Sequence, residues 1–209
     1  MSSTSGPMML ISDRNDLIVL RFMRHGLPSF LQRQSIQRDW FLAIHCFKRM
    51  VNDKSTSFCR AATNADGPAV ERLVFSVLAE YGLAPEPEGV DRDLRDLEGF
   101  YFARGGWFGV WVDEAGDVFG TAGLGRVDER TCELRKMYLH PTKRGKGQGR
   151  AMLERALEEA KRLGYHRVIL ETASVLKEAV LLYERSGFRK TEPEGHTAKR
   201  CDLVMVREL

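Results

Sequence analysis

With 209 residues, 43% of them hydrophobic and 29% charged, the chain is long enough for one well-cored domain plus some excess. Its net charge of +3, from 32 basic and 29 acidic residues, is too mild to argue for nucleic acid binding, and no apolar run approaches a membrane span. The cysteines Cys46, Cys59, Cys132 and Cys201 are scattered without a Cys-x-x-Cys pair, which argues against a structural zinc or a disulfide framework and suits reduced thiols in a cytoplasmic protein.

Residues 1–55 show no clear hydrophobic period and no good helix cap. The segment is basic, but Asp13, Asp16, Asp39 and Asp53 make it a poor transit peptide. It reads as a disordered tail or a start-site artefact with the true start near Met50, a docking arm being the third option. The domain proper is expected over 56–209.

From there the elements follow in order. Phe58–Thr63 reads as a strand. Asn64 or Asp66 can cap a helix with Pro68 in its first turn, and Val70, Leu73, Val74, Val77 and Leu78 recur at helical spacing until Gly82. Asp91 is placed to cap a second helix carrying Leu94, Leu97, Phe100 and Tyr101. A meander follows: Trp107–Val112, apolar on both faces, then Val118–Arg126 and Thr131–Leu139. Next comes a basic, glycine-rich loop, His140-Pro-Thr-Lys-Arg-Gly-Lys-Gly-Gln-Gly149. It opens a helix striped by Met152, Leu153, Ala156, Leu157 and Ala160. Arg167–Thr172 is a strand; Leu176, Ala179, Val180 and Tyr183 line a helix stopped by Gly187. Phe188–Thr191 and Asp202–Arg207 close the chain. The pattern predicts an α/β fold of the α+β type, with a mostly antiparallel mixed sheet. The pair Thr131–Leu139 and Arg167–Thr172, joined through a helix, is expected to be parallel.

A glycine-rich loop entering a helix N-terminus suits a pyrophosphate, because the first helical N–H groups lack partners and lie at the positive end of the dipole. Two phosphate motifs fail on spacing. The P-loop needs Ser or Thr after its lysine, where Gly147 stands. The dinucleotide fingerprint needs a third glycine where Arg150 stands. Arg144-x-x-Gly147-x-Gly149 instead resembles the acetyl-coenzyme A loop, [Gln/Arg]-x-x-Gly-x-[Gly/Ala], of the GNAT acetyltransferase superfamily. Downstream, Ala179-Val-Leu-Leu-Tyr183-Glu-Arg-Ser-Gly187-Phe188 is similar to that family's second motif. The resemblance covers about residues 57–209.

What the resemblance implies is acetyl transfer from acetyl-CoA, as co-substrate and without a metal, to a primary amine attacking directly in a ternary complex. The alternative is a non-catalytic coenzyme A-binding module of the same fold. The two parallel strands would splay to admit the pantetheine arm, which would run along Met137, Tyr138 and Leu139. The Met137 N–H would act as an oxyanion-type donor. Arg144, Gly145, Lys146, Gly147, Gln148, Gly149 and Arg150 would cradle the pyrophosphate. Glu133, eleven residues before Arg144, matches the glutamate base of the histone-acetylating branch; otherwise it is a strand carboxylate paired with Arg135. Tyr183 matches the tyrosine that protonates the departing thiolate; otherwise it is a helix-packing residue. Leu176 departs from the family's usual Asn or Gln, so Thr172, Ser174 or backbone would have to replace that contact. Phe100–Phe102 and Trp107–Trp111 lie near the family's acceptor site, although such aromatic stretches are more often core. His196 reads as a solvated loop residue. The acceptor is expected to be a small-molecule amine or amino acid, with a protein amine as second choice. Nucleic acid and membrane partners are not expected; a homodimer is possible.

Overall fold

A computed structural model of the protein describes residues 58–192 and 198–209. The expectations for segment 1–55 and for His196 fall outside them. Strand β1 (Phe58–Ala61) is followed by a 3-10 turn in which Thr63 and Asp66 form a reciprocal capping box. Asp66 is also gripped by Arg60 through two 2.7 Å hydrogen bonds, which hold its carboxyl down at about 2. Helix α1 (Gly67–Glu80) then buries the predicted stripe.

The second helix differs from its expectation. It breaks into a 3-10 turn, Arg92–Arg95, and a single helical turn α2 (Leu97–Phe100). Asp91 does not cap it: its carboxylate accepts from the Glu86 N–H at 2.8 Å and from Arg200, and it pairs with Lys136. Asp96 caps α2 instead, accepting from the Gly99 N–H at 2.9 Å.

The meander β2 (Trp107–Val112), β3 (Val118–Arg126) and β4 (Thr131–Leu139) has the predicted bounds. The remaining elements are α3 (Gln148–Arg162), β5 (Arg167–Thr172), α4 (Lys177–Arg185), β6 (Arg189–Thr191) and β7 (Leu203–Glu208). The sheet order is β1-β2-β3-β4-β5-β7-β6, antiparallel except for β4 with β5. Alternation along β2 supplies both faces. Trp107 and Trp111 join the layer of α3 and α4, while Phe108, Val110 and Val112 join the layer of α1 and α2. Each large side chain so buried contributes about 1.5–3 kcal/mol. The aromatic stretch is therefore core; Tyr101 and Phe108 are wholly buried.

Those two rings occupy the space a side chain on Gly123 would need. A Cβ there would lie 2.7 Å from Tyr101 and 2.8 Å from Phe108. Gly123→Ala is expected to destabilise the fold by about 1–3 kcal/mol, read as a lower urea midpoint with unchanged slope.

Two irregularities in β4 position the site. The first is a bulge. The register with β3 pairs Gly123 with Arg135 but Thr121 with Tyr138, so Lys136 and Met137 together oppose Ala122. Lys136 adopts φ 51°, a left-handed value that costs a non-glycine residue roughly 1–3 kcal/mol. Thr121 offsets this by donating its hydroxyl to the Lys136 carbonyl at 2.7 Å. The second is the early end of the parallel ladder: β4 and β5 pair only from Thr131↔Arg167 to Leu134↔Leu170. Past that point β5 keeps its β7 partner, and the Arg135–Leu139 backbone faces a gap.

Candidate active site

The gap opens into a cleft of about 620 Å³. Its walls come from α1, β4, the glycine loop, the end of β5, α4 and the segment Ala198–Cys201. The bulge divides it chemically. Before the bulge, Glu133 and Arg135 face the α1 side of the sheet while Cys132 and Leu134 enter the core with α3. After it, Met137 and Leu139 take the core side and Tyr138 the α1 side. At the bulge itself Arg135 and Lys136, although consecutive, both reach Asp93.

On one side lies the predicted phosphate cradle. Gly145 and Gly147 have φ of 74° and 78°, left-handed values that glycine adopts without penalty. Gly147 is the N-cap of α3, so the loop delivers the helix N-terminus to the cleft, and Gly145 and Gly149 line it. Arg144 sits here with its side chain engaged. It donates two hydrogen bonds to Glu80, at 2.6 and 2.8 Å, and a third to the Leu139 carbonyl at 3.1 Å. It thereby braces the loop against α1, leaving its backbone to the cradle. Lys146 lies 3.4 Å from the Thr142 carbonyl, and Arg150 pairs with Glu154 at 2.7 Å on the exposed helix face. Gln148 heads the helix beside Gly149.

The open edge of β4, a glycine-turned helix N-terminus and a cleft joining them fit coenzyme A: amide-bearing pantetheine along the strand, pyrophosphate at the helix. Leu176 lines the cleft as the α4 N-cap residue. Of the substitutes for the missing amide, Ser174 is committed to Asp202 at 2.6 Å, whereas Thr172 lines the cleft.

On the other side lie charges. Glu133 accepts from Arg135 at 2.8 Å, which is the pairing the sequence offered as its plain structural role, yet its carboxylate lines the cleft. Burial pushes its pKa up, against the opposing pull of Arg135. Three groups escaped the sequence reading. Glu171, on β5 past the split, lines the cleft and accepts from the Ala198 N–H at 3.0 Å. Arg200 clasps Asp91 bidentately, both bonds 2.7 Å. Lys136 is buried between Asp91 and Asp93 at 3.0 and 3.3 Å and donates to the Val90 carbonyl at 2.7 Å. Burial alone would raise Asp91, but Arg200, the Glu86 N–H and Lys136 outweigh it and hold it at about 2.

Tyr183 lines the cleft from α4 with its ring against Phe188, centroids 5.8 Å apart. Burial pushes its hydroxyl well above the usual tyrosine value, so it stays protonated. Of the thiols, Cys132 is fully buried in the core and raised by burial to about 12. Cys201 lines the cleft, and burial raises it to about 11.

Residues 73–188 match the acetyltransferase (GNAT) family. The chain belongs to that family. YjgM, an uncharacterized N-acetyltransferase of Escherichia coli, is 36% identical to this acetyltransferase over 159 residues, covering 72% of this chain and 93% of its own length. N-acetylaspartate synthetase of Danio rerio is 37% identical over 107 residues, 50% of this chain and 38% of its own length. In structure, the chain resembles the phosphinothricin acetyltransferase of Sinorhizobium meliloti solved with acetyl-CoA. The TM-score is 0.58 and the identity 23%, over 74% of this chain and 89% of that one, a likeness of fold. This acetyltransferase is thus an N-acetyltransferase that takes its acetyl group from acetyl-CoA. Among the described residues no helix is long and apolar enough to cross a membrane.

Proposed function

We propose that this acetyltransferase acetylates the primary amine of a small molecule, an amino acid or similar zwitterion foremost, by direct attack in a ternary complex. The charge pattern of the acceptor half carries this reading. Two carboxylates, Glu133 and Glu171, line it beside Arg135, Lys136 and Arg200. The carboxylate pair suits an ammonium, and Arg135, the most exposed of these cations, suits a carboxylate. A relative named N-acetylaspartate synthetase supports the same acceptor chemistry.

When bound, acetyl-CoA supplies the activated acyl group. Glu133 takes the proton from the acceptor's ammonium, since an amine attacks only when neutral. The Met137 N–H, on the unpaired edge of β4, donates to the carbonyl oxygen as it gains charge. The backbones of Tyr138 and Leu139 and the loop from Arg144 to Arg150 orient the cofactor. Tyr183, kept protonated by burial, gives its proton to the departing sulfur, and the second proton that the nitrogen sheds as the amide forms replaces it. Two thiols support direct transfer over an acyl-enzyme: Cys132 lies in the core, and burial raises Cys201 to about 11, so neither offers a thiolate at neutral pH.

Thiol release from acetyl-CoA across amino acids, polyamines, aminoglycosides and lysine peptides tests the proposal. Turnover with amino acids supports it. Turnover confined to lysine peptides would overturn the acceptor class, and tight coenzyme A binding without release for any amine would favour the binding-module reading. Tyr183→Phe should lower kcat by about 10² while leaving coenzyme A affinity unchanged, the low end of acid catalysis because a thiolate is a tolerable leaving group.

A further inference from the structure

Behind the acceptor half of the cleft, six side chains form one unbroken line of alternating charge. Glu133 binds Arg135 at 2.8 Å, and Arg135 Nε lies 3.4 Å from Asp93 Oδ2. Asp93 Oδ1 is 3.3 Å from Lys136 Nζ, which is 3.0 Å from Asp91, which holds Arg200 at 2.7 Å. Three cations and three anions make the set neutral. Only Glu133 and Arg135 at one end, each 21% exposed, have appreciable contact with the cleft's solvent; Asp93 is 1% exposed.

The central links differ in kind from the outer ones. Asp93 Oδ1 and Arg135 Nε have no hydrogen-bond partner. What fixes Asp93 is Tyr101, whose hydroxyl donates to Oδ2 at 2.6 Å. Asp93 is therefore anchored from behind, and it acts on both cations by charge alone. Arg135 is likewise fixed independently, by the Val90 carbonyl at 3.2 Å and by the Phe100 ring 5.6 Å from its guanidinium carbon. Such an arrangement transmits charge without transmitting movement. The bulge makes it possible, because it puts Arg135 and Lys136 on one side of the strand, where a single aspartate meets both.

We propose that Asp93 and Lys136 are positioning residues that tune the proton affinity of Glu133 with opposite signs, acting through Arg135 and the shared field. The proposal rests on the reading of Glu133 as the base. Removing the Asp93 charge leaves Arg135 and Lys136 under-compensated, which favours the Glu133 carboxylate. Removing the Lys136 charge leaves Asp91 and Asp93 in excess, which favours its protonated form. Among the described residues, the other charged or titratable groups near Glu133 are Glu171 from β5, Cys201 and Arg200 from the segment before β7, and Tyr101 from behind the sheet. None is replaced by either substitution, and Tyr101 keeps an acceptor in Asp93→Asn.

The test is the titration of the Glu133 carboxyl by NMR in the full chain carrying 13C-labelled glutamate, with Glu133→Gln assigning the resonance. Asp93→Asn, which keeps an acceptor for Tyr101, should lower the Glu133 midpoint by about one pH unit, and Lys136→Met should raise it by a similar amount. The double variant, neutral again, should return it close to the parent value. Unmoved titration in the folded single variants, or shifts of the same sign, would overturn the proposal; if Asp93→Asn does not fold, Lys136→Met alone decides by the same criterion. Full turnover in Glu133→Gln would sink the base reading instead, and the opposed shifts would still stand.

Discussion

Replacing Glu133 with Gln should lower kcat by about 10²–10⁴ and leave coenzyme A binding unchanged, since Gln keeps the shape and removes only the proton acceptor. The base works ionised. Burial raises Glu133 above the ordinary carboxylate value, so parent turnover should fall as pH drops through that raised value. The variant should lack this acidic limb altogether. Steady-state kinetics across pH, with calorimetric titration of coenzyme A, checks both parts. A variant with parental kcat and an intact acidic limb would move the base role elsewhere, to Glu171 or Glu178, which also line the cleft.

The second large effect is on stability. Asp91→Asn should cost about 3–5 kcal/mol, because it leaves two cations without their common carboxylate in a buried setting. Lys136 and Arg200 are 4% and 10% exposed, and Asp91 is fully covered. Arg200 would keep the Ala84 carbonyl, at 3.5 Å, and the Tyr138 hydroxyl, neither of which carries a compensating charge at neutral pH. For a domain of this size the thermal midpoint should drop by about 6–20 °C. The same carboxylate contributes to acid behaviour. Its folded value near 2 lies below the unfolded value of about 3.9, so its contribution, about 2 kcal/mol, is complete above the unfolded value and is lost as pH falls through the folded one. Urea unfolding at pH 7 and pH 2 checks this. The parent should lose that much more than the Asn variant over the interval.

How far could the sequence be read? Most element positions could, because hydrophobic period and glycine stops are local signals. Strands β2, β3, β4 and β5 fall on their expected residues. The glycine loop and Tyr183 also stand where their motifs place them, lining one cleft. What failed was long-range polar pairing. Asp91 looked like a cap because capping needs only its own neighbours. Its charged partners are 45 and 109 residues away. Arg144 looked like a free phosphate ligand, but Glu80 holds it across 64 residues. Arg200 and Glu171 were passed over because an isolated charge beside a strand has no period to betray its burial. The bulge was equally silent. Nothing in Leu134-Arg-Lys-Met137 marks one residue as surplus, and the left-handed residue is a lysine, not a glycine.

That surplus residue sets the parity of β4. Cys132 and Leu134 before it, and Met137 and Leu139 after it, all turn to the α3 layer, even positions on one side and odd positions on the other. If all nine residues ran straight, with none surplus, everything past Arg135 would exchange faces: Met137 and Leu139 would leave the α3 layer and Tyr138 would enter it. Deleting Lys136 has the opposite outcome. Arg135 and Met137 then follow one another in plain alternation, and Met137, Tyr138 and Leu139 keep their faces. What such a deletion removes is the lysine between Asp91 and Asp93. The bulge thus adds a second cation to one face of β4 and leaves the phase of the strand beyond it unchanged.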